Sequence, residues 1–125
     1  MNASQIYHDL SQSIRTPIVA LLNQQLADLL DLGLQAKQAH WNVKGRNFFG
    51  LHELFDKSAE ELNESSDRVA ERAVQLGGFA MGTLQAISGS SRLPAYPTDL
   101  VTGLGHVEVL VSALRKLAHT TAAGN

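Results

Sequence analysis

His52 and Asp56 stand four residues apart, and so do Asp67 and Glu71. On a helix each pair projects from one face, because successive residues turn by about 100°. The four directions fall within roughly a 100° arc, which also takes in Glu60 and Asn63. Imidazole nitrogen with carboxylate oxygen suits Fe(II), Mn(II) or Zn(II), and a chain without cysteine offers no thiolate. Anionic oxygen also favours Fe(III) over Fe(II), since the harder cation gains more from it. The residues by themselves do not choose among these metals.

Asp56 and Asp67 lie eleven residues apart, about 16 Å along a helix axis. Ligand bonds of about 2 Å cannot bridge that span, so one ion cannot use both pairs of the same helix. Either there are two incomplete sites, or the pairs meet on different chains. The midpoint between Glu61 and Leu62 is equidistant from His52 and Glu71, and also from Asp56 and Asp67. A two-fold axis there would set His52 and Asp56 of one chain against Asp67 and Glu71 of its mate, giving two equivalent sites per dimer. His40 could add a ligand from a preceding antiparallel helix. The same stripe also admits a plainer reading as a solvated face, like the ordinary surface pairs Glu53–Lys57, Lys57–Glu61 and Glu64–Arg68.

The elements that would position these residues are helical. Thr16-Pro17 reads as a cap followed by proline at the first helical position. From there Ile18, Leu21, Leu22, Leu26, Leu29, Leu30 and Leu34 recur at helical spacing, predicting a helix to about Val43 with Gly45 just beyond. A second helix is predicted from near Asn47 to before Gly77-Gly78, with Leu51, Leu54, Phe55, Leu62, Val69, Ala73 and Val74 as its apolar stripe. Phe79 to Ile87 reads as a short helical segment. Gly89, Pro94 and Pro97 mark a connection, and Asp99 is the expected cap of a further helix toward Ala118. No alternating pattern predicts a strand, so the expected class is all-α, with residues 1–125 as one domain.

Composition sets the outer bounds. The 125 residues are 44% hydrophobic and 18% charged, with net charge −2 and a pI near 6.2, an ordinary globular balance. The charge does not attract nucleic acid. Absence of cysteine fits a reducing compartment. No signal peptide is read at the N-terminus, and Asn23, Gln24, Gln25, Asp28 and Asp31 interrupt the richest apolar stretch, so no membrane span and a cytoplasmic location are expected. His8, His106 and His119 have no carboxylate three or four residues away and read as non-ligands.

The run Lys37-Gln38-Ala39-His40-Trp41-Asn42 closely resembles the iron-site signature of the Dps family of mini-ferritins. Leu51-His52-Glu53-Leu54-Phe55-Asp56 resembles its second block, with His52 twelve residues after His40, and Asp67 to Gly78 is similar to its third. The likeness extends over roughly residues 15 to 120. It implies a ferritin-like four-helix bundle whose subunits form hollow twelve-subunit shells. It further implies His40, His52 and Asp56 as metal ligands from one subunit and Asp67 and Glu71 from its two-fold mate, with Trp41 beside the site as a local electron donor. The implied activity is a ferroxidase, oxidising Fe(II) with hydrogen peroxide in preference to dioxygen, storing ferric mineral and limiting oxidative damage. Zn(II) or Mn(II) would be substitutes at the site.

Two departures from the family are visible. The first lysine is Lys37, so the lysine-rich tail that many members use on DNA has no counterpart, and direct DNA binding is expected to be weak or absent. The sequence stops at Gly124-Asn125, so on this reading the fourth bundle helix is absent or truncated, and one alternative is a truncated subunit that keeps the metal site but has impaired shell assembly. Competing functions are a non-catalytic scaffold or nucleoid-associated protein and, more remotely, a paired-metal hydrolase. The hydrolase lacks a His-Glu-x-x-His element, a nucleophile elbow and a phosphate loop.

Overall fold

Antiparallel packing of two long helices positions the residues of interest. A computed structural model describes residues 11–124, with side chains to residue 120. Helix α1 spans Gln12–Asn42 and α2 spans Phe48–Gln75. Contacts between them run in opposite senses: Arg15 reaches the Leu76 carbonyl, Gly33 faces Leu62 and Asn63, Lys37 meets Asp56, and His40 stacks on His52. A short α3, Leu84–Ser90, and a third long helix, α4, Gly103–Gly124, complete four helices among the described residues. An isolated backbone bridge joins Lys44 and Thr102.

The ends of these helices show which local signals win. Helix α1 is capped at Ser11 rather than at Thr16, with Pro17 inside it. Proline there costs the hydrogen bond to the Ser13 carbonyl, but so near the helix start only one turn is affected. The N–H groups of Ile14 and Arg15 donate to the Ser11 carbonyl and start the helix without it. At the other end Val43 leaves the helical region, and Gly45, at φ +90°, turns the chain. Helix α2 closes as expected, in a Schellman motif: Gly77, at φ +87°, donates to Val74 while Gly78 donates to Ala73.

Phe79 to Thr83 is not helical, and α3 starts only after Thr83. The side chain of Asn23 occupies the loop backbone instead, donating to the Phe79 carbonyl and accepting from the Met81 N–H. Helix α4 is capped by Thr102 rather than Asp99: its hydroxyl accepts from the Gly105 N–H, and its carbonyl from His106.

Two apolar clusters hold α4 against the α1–α2 pair. Leu32 packs with Ala113 and Leu117. Nearer the other end of α1, Ala39, Val43 and Phe55 pack with Leu51, Tyr96, Val107 and Leu110. Polar side chains of α1 fasten the α3–α4 connection: Asp28, 1% exposed, receives the Arg92 guanidinium on one oxygen at 2.6 and 2.9 Å, and its other oxygen accepts the Arg92 N–H. Ser91 donates to Asp31 at 2.6 Å, and Gln35 donates to the Pro94 carbonyl. An apolar groove of about 380 Å³ runs between α1, α2 and α4, lined by Leu54, Leu62, Leu110 and Leu114 among others.

Candidate metal centre

His40 lies in the last turn of α1, where carbonyls lack helical partners. The Val43 N–H takes Ala39 and the Lys44 N–H turns to Val101, so the His40 carbonyl is left for a side chain. His52 Nδ1 fills that role at 2.7 Å. In return His40 Nδ1 contacts the His52 carbonyl at 2.6 Å. The two rings stack, centroids 3.7 Å apart and planes 22° apart, and Phe48, one helical turn before His52, covers its ring at 5.0 Å.

A carbonyl can only accept, so both Nδ1 atoms must carry the proton. In its neutral form each ring therefore presents its lone pair at Nε2, the form in which imidazole binds metals. Two histidines from two helices are thus fixed in tautomer and orientation by backbone carbonyls.

Asp56, one turn beyond His52, joins the same face. The Lys37 ammonium hydrogen-bonded to it holds its carboxyl below the usual carboxylate range. Partial desolvation opposes that effect, and the charge on Lys37 adds to it. The side chains of the ion pair are about one-third exposed, 35% and 36%, so water screens it. Lys37 escaped the sequence reading. Its signal is its position three residues before His40, which places both on one face of α1.

Asp67 and Glu71 lie further along α2 on its exposed surface and have no side-chain partner among the described residues. Among those residues, no three His, Asp or Glu side chains converge into a metal cage within one chain. The fold makes neighbours of His40, His52 and Asp56 and leaves Asp67 and Glu71 apart, at the two-pair spacing of the helix. Trp41 is 65% exposed beside His40. His119 is exposed, whereas His106 is buried against Tyr96. His8 lies outside the described residues. No described helix is long and apolar enough to cross a membrane.

Comparison with known proteins fits this geometry to a family. Residues 19–123 match the ferritin-like domain. The DNA protection during starvation protein of Agrobacterium fabrum is 40% identical over 119 residues, covering 95% of this chain and 74% of that protein. The chain belongs to the Dps family of ferritin-like proteins. A second Dps relative, from Mycolicibacterium smegmatis, is 37% identical over 101 residues, 81% of this chain and 55% of its own length. Among solved structures, Dps of Mycobacterium smegmatis superposes with TM-score 0.87 at 33% identity, covering 93% of this chain and 71% of that one. Dps of Vibrio cholerae, described as a member of the ferritin-like diiron-carboxylate superfamily, gives TM-score 0.83 at 25% identity, with 88% and 69% covered.

Proposed function

We propose that this Dps-family chain is a subunit of an iron-oxidising, iron-storing mini-ferritin that protects against oxidative damage. Fe(II) is the substrate. His40, His52 and Asp56 of one chain hold it together with Asp67 and Glu71 of a two-fold mate. The observation that carries this reading is the reciprocal Nδ1-to-carbonyl contact, which leaves both Nε2 lone pairs for another ligand on the helix face that carries Asp56. A solvated surface stripe has no need of two histidines locked in the metal-binding tautomer.

In this reading the imidazoles bind and orient the ion, and the carboxylates favour the ferric product through charge. Asp56 is held ionised by Lys37 and is ready to receive a cation that displaces the ammonium. Hydrogen peroxide, preferred over dioxygen, takes one electron from each of two Fe(II) ions and leaves as two hydroxides. Trp41 stands beside the site as a local electron donor, and Zn(II) or Mn(II) can occupy the same ligands. The assembly is a twelve-subunit shell built on two-fold dimers in the cytoplasm. With a net charge of −2, direct DNA binding is weak or absent at neutral pH; tight binding in a low-salt gel shift would contradict that.

The test adds Fe(II) anaerobically and then peroxide, following ferric absorbance in the wild type and in a His52→Ala, Asp56→Ala variant. Rapid ferric formation in the wild type alone is expected. Equal traces would leave a non-catalytic scaffold. Sedimentation of the same samples reports whether twelve subunits assemble.

A further inference from the structure

Tyr96 and His106 form a pair that the metal chemistry leaves unused. Tyr96 lies in the connection before α4, and His106 in the first turn of α4. The phenol oxygen is 2.5 Å from His106 Nδ1, and the rings stack with planes 12° apart. His106 is 1% exposed, and its Nε2 is buried without a hydrogen-bond partner among the described residues. Burial pushes the Tyr96 phenol up to about 12. Burial also depresses the His106 imidazole, with the nearby Leu100 carbonyl working the other way. With Nδ1 as the acceptor of this short contact, the phenol donates its proton to the imidazole lone pair.

Such a pair suits the loss of an electron from tyrosine. A phenol that loses an electron becomes a very strong acid, so oxidation is easy only where a base already waits within hydrogen-bond reach. His106 Nδ1 is that base. The pair also lies close behind the metal-facing surface. Tyr96 packs on the cluster of Ala39, Val43 and Phe55, and Phe55 meets the His106 ring edge-on at 6.2 Å. Ala39 and Phe55 directly precede His40 and Asp56 in the chain. Trp41, by contrast, is solvent-exposed and makes no side-chain hydrogen bond among the described residues.

We propose that Tyr96, with His106 as its proton acceptor, is a reserve one-electron donor used when peroxide meets a single Fe(II) at the site. This rests on the ferroxidase reading above. Peroxide needs two electrons to break its O–O bond into two hydroxides. One Fe(II) gives one electron and becomes Fe(III). Tyr96 gives the other, its proton passes to His106 Nδ1, and a tyrosyl radical and an imidazolium remain. A later Fe(II) returns an electron to the radical, the proton returns from His106, and the pair is restored. With two Fe(II) present both electrons come from iron and Tyr96 is spared.

The experiment loads the full protein anaerobically with one Fe(II) per subunit, adds one equivalent of peroxide and freezes the mixture for electron paramagnetic resonance. A tyrosyl spectrum is expected, several-fold weaker at two Fe(II) per subunit. Tyr96→Phe, which keeps the ring packing, should abolish it, while Tyr7→Phe should leave it. Ferric formation without a tyrosyl signal, or a signal that survives Tyr96→Phe, overturns the proposal and leaves the ferroxidase reading intact. Failure of the wild type to form ferric iron removes both. The pair is also read without iron, by photogenerated ruthenium(III) tris-bipyridine acting on metal-free Tyr7→Phe protein. Tyrosyl formation should be several-fold faster with His106 than with His106→Gln, and equal rates would overturn the role of His106.

Discussion

His40 and His52 owe their fixed orientation to two carbonyls rather than to their stacking alone, and that distinction separates what the sequence reveals from what it hides. Residue type and spacing were enough to single out both histidines and Asp56. That each Nδ1 would find the other residue's carbonyl depends on the register between α1 and α2, which no local pattern encodes. The same holds for Lys37, whose partner Asp56 lies nineteen residues away. Replacing Lys37 with Met should raise the Asp56 carboxyl toward its ordinary value, as followed by carboxyl carbon NMR, and should tighten Zn(II) binding a few-fold because no ammonium has to be displaced. Weaker binding would instead give Lys37 a role in aligning the carboxylate. His106 was passed over because histidine without a nearby carboxylate gives no signal in the chain, and its burial comes from α4 docking. Its depressed imidazole sets a pH dependence of known sign. Below the ordinary value of 6.5 the unfolded chain binds a proton that the folded protein resists, so this residue's share of stability is complete above that pH and is lost as pH falls through it. The melting temperature should therefore drop more between pH 7 and pH 5 in the wild type than in His106→Gln; parallel curves would show that His106 is not the group responsible.

Helix existence follows from apolar periodicity, whereas helix boundaries and loop paths follow from contacts made across the fold. The long helices α1 and α2 were legible because their apolar stripes are long, and the Gly77-Gly78 stop because glycine supplies the left-handed turn a Schellman motif requires. The start of α4 was not legible, because Thr102 and Asp99 are both good caps and tertiary packing chooses between them. The polar residues of α1 told only that the helix does not cross a membrane; their work, fastening the α3–α4 connection, appears only when Arg92 closes on Asp28. Arg92→Ala leaves a buried carboxylate short of its guanidinium, and should cost on the order of 3 kcal/mol in denaturant unfolding. Asp28→Asn in the same background should recover part of that loss, since no charge is then left buried. If the double variant were no more stable than Arg92→Ala alone, charge burial would not be the cause. Close packing at the other end of the α1–α2 pair is tested by Gly78, where an added Cβ would sit 2.4 Å from Val19 Cγ1. Val19 is branched at Cβ and cannot swing aside freely, so Gly78→Ala should destabilise by about 1–3 kcal/mol, as overpacking does.

For the whole molecule, the proposed function puts the two halves of a site toward opposite ends of α2 in one chain. A 28-residue helix keeps the halves apart by its own stiffness, so on that proposal they would meet only between chains, and two-fold symmetry would make two sites per dimer. This arrangement has a consequence that no single-chain site shares. Take one variant with His52→Ala and Asp56→Ala, and another with Asp67→Ala and Glu71→Ala; each alone loses both sites of its dimer. In a mixed dimer, His52 and Asp56 of the second variant face Asp67 and Glu71 of the first, and that site is wild type in every ligand. The other site in the same dimer lacks all four. Random mixing of equal amounts makes half the dimers mixed, so the pooled protein should regain about a quarter of wild-type ferric formation although both parents are inactive. Mixing has to be done by co-expression or by refolding together, because assembled dimers need not exchange. An assembly that contains both variants and stays inactive would mean that the two pairs never share a metal, and the inter-chain site would have to be abandoned whatever the parents' activities.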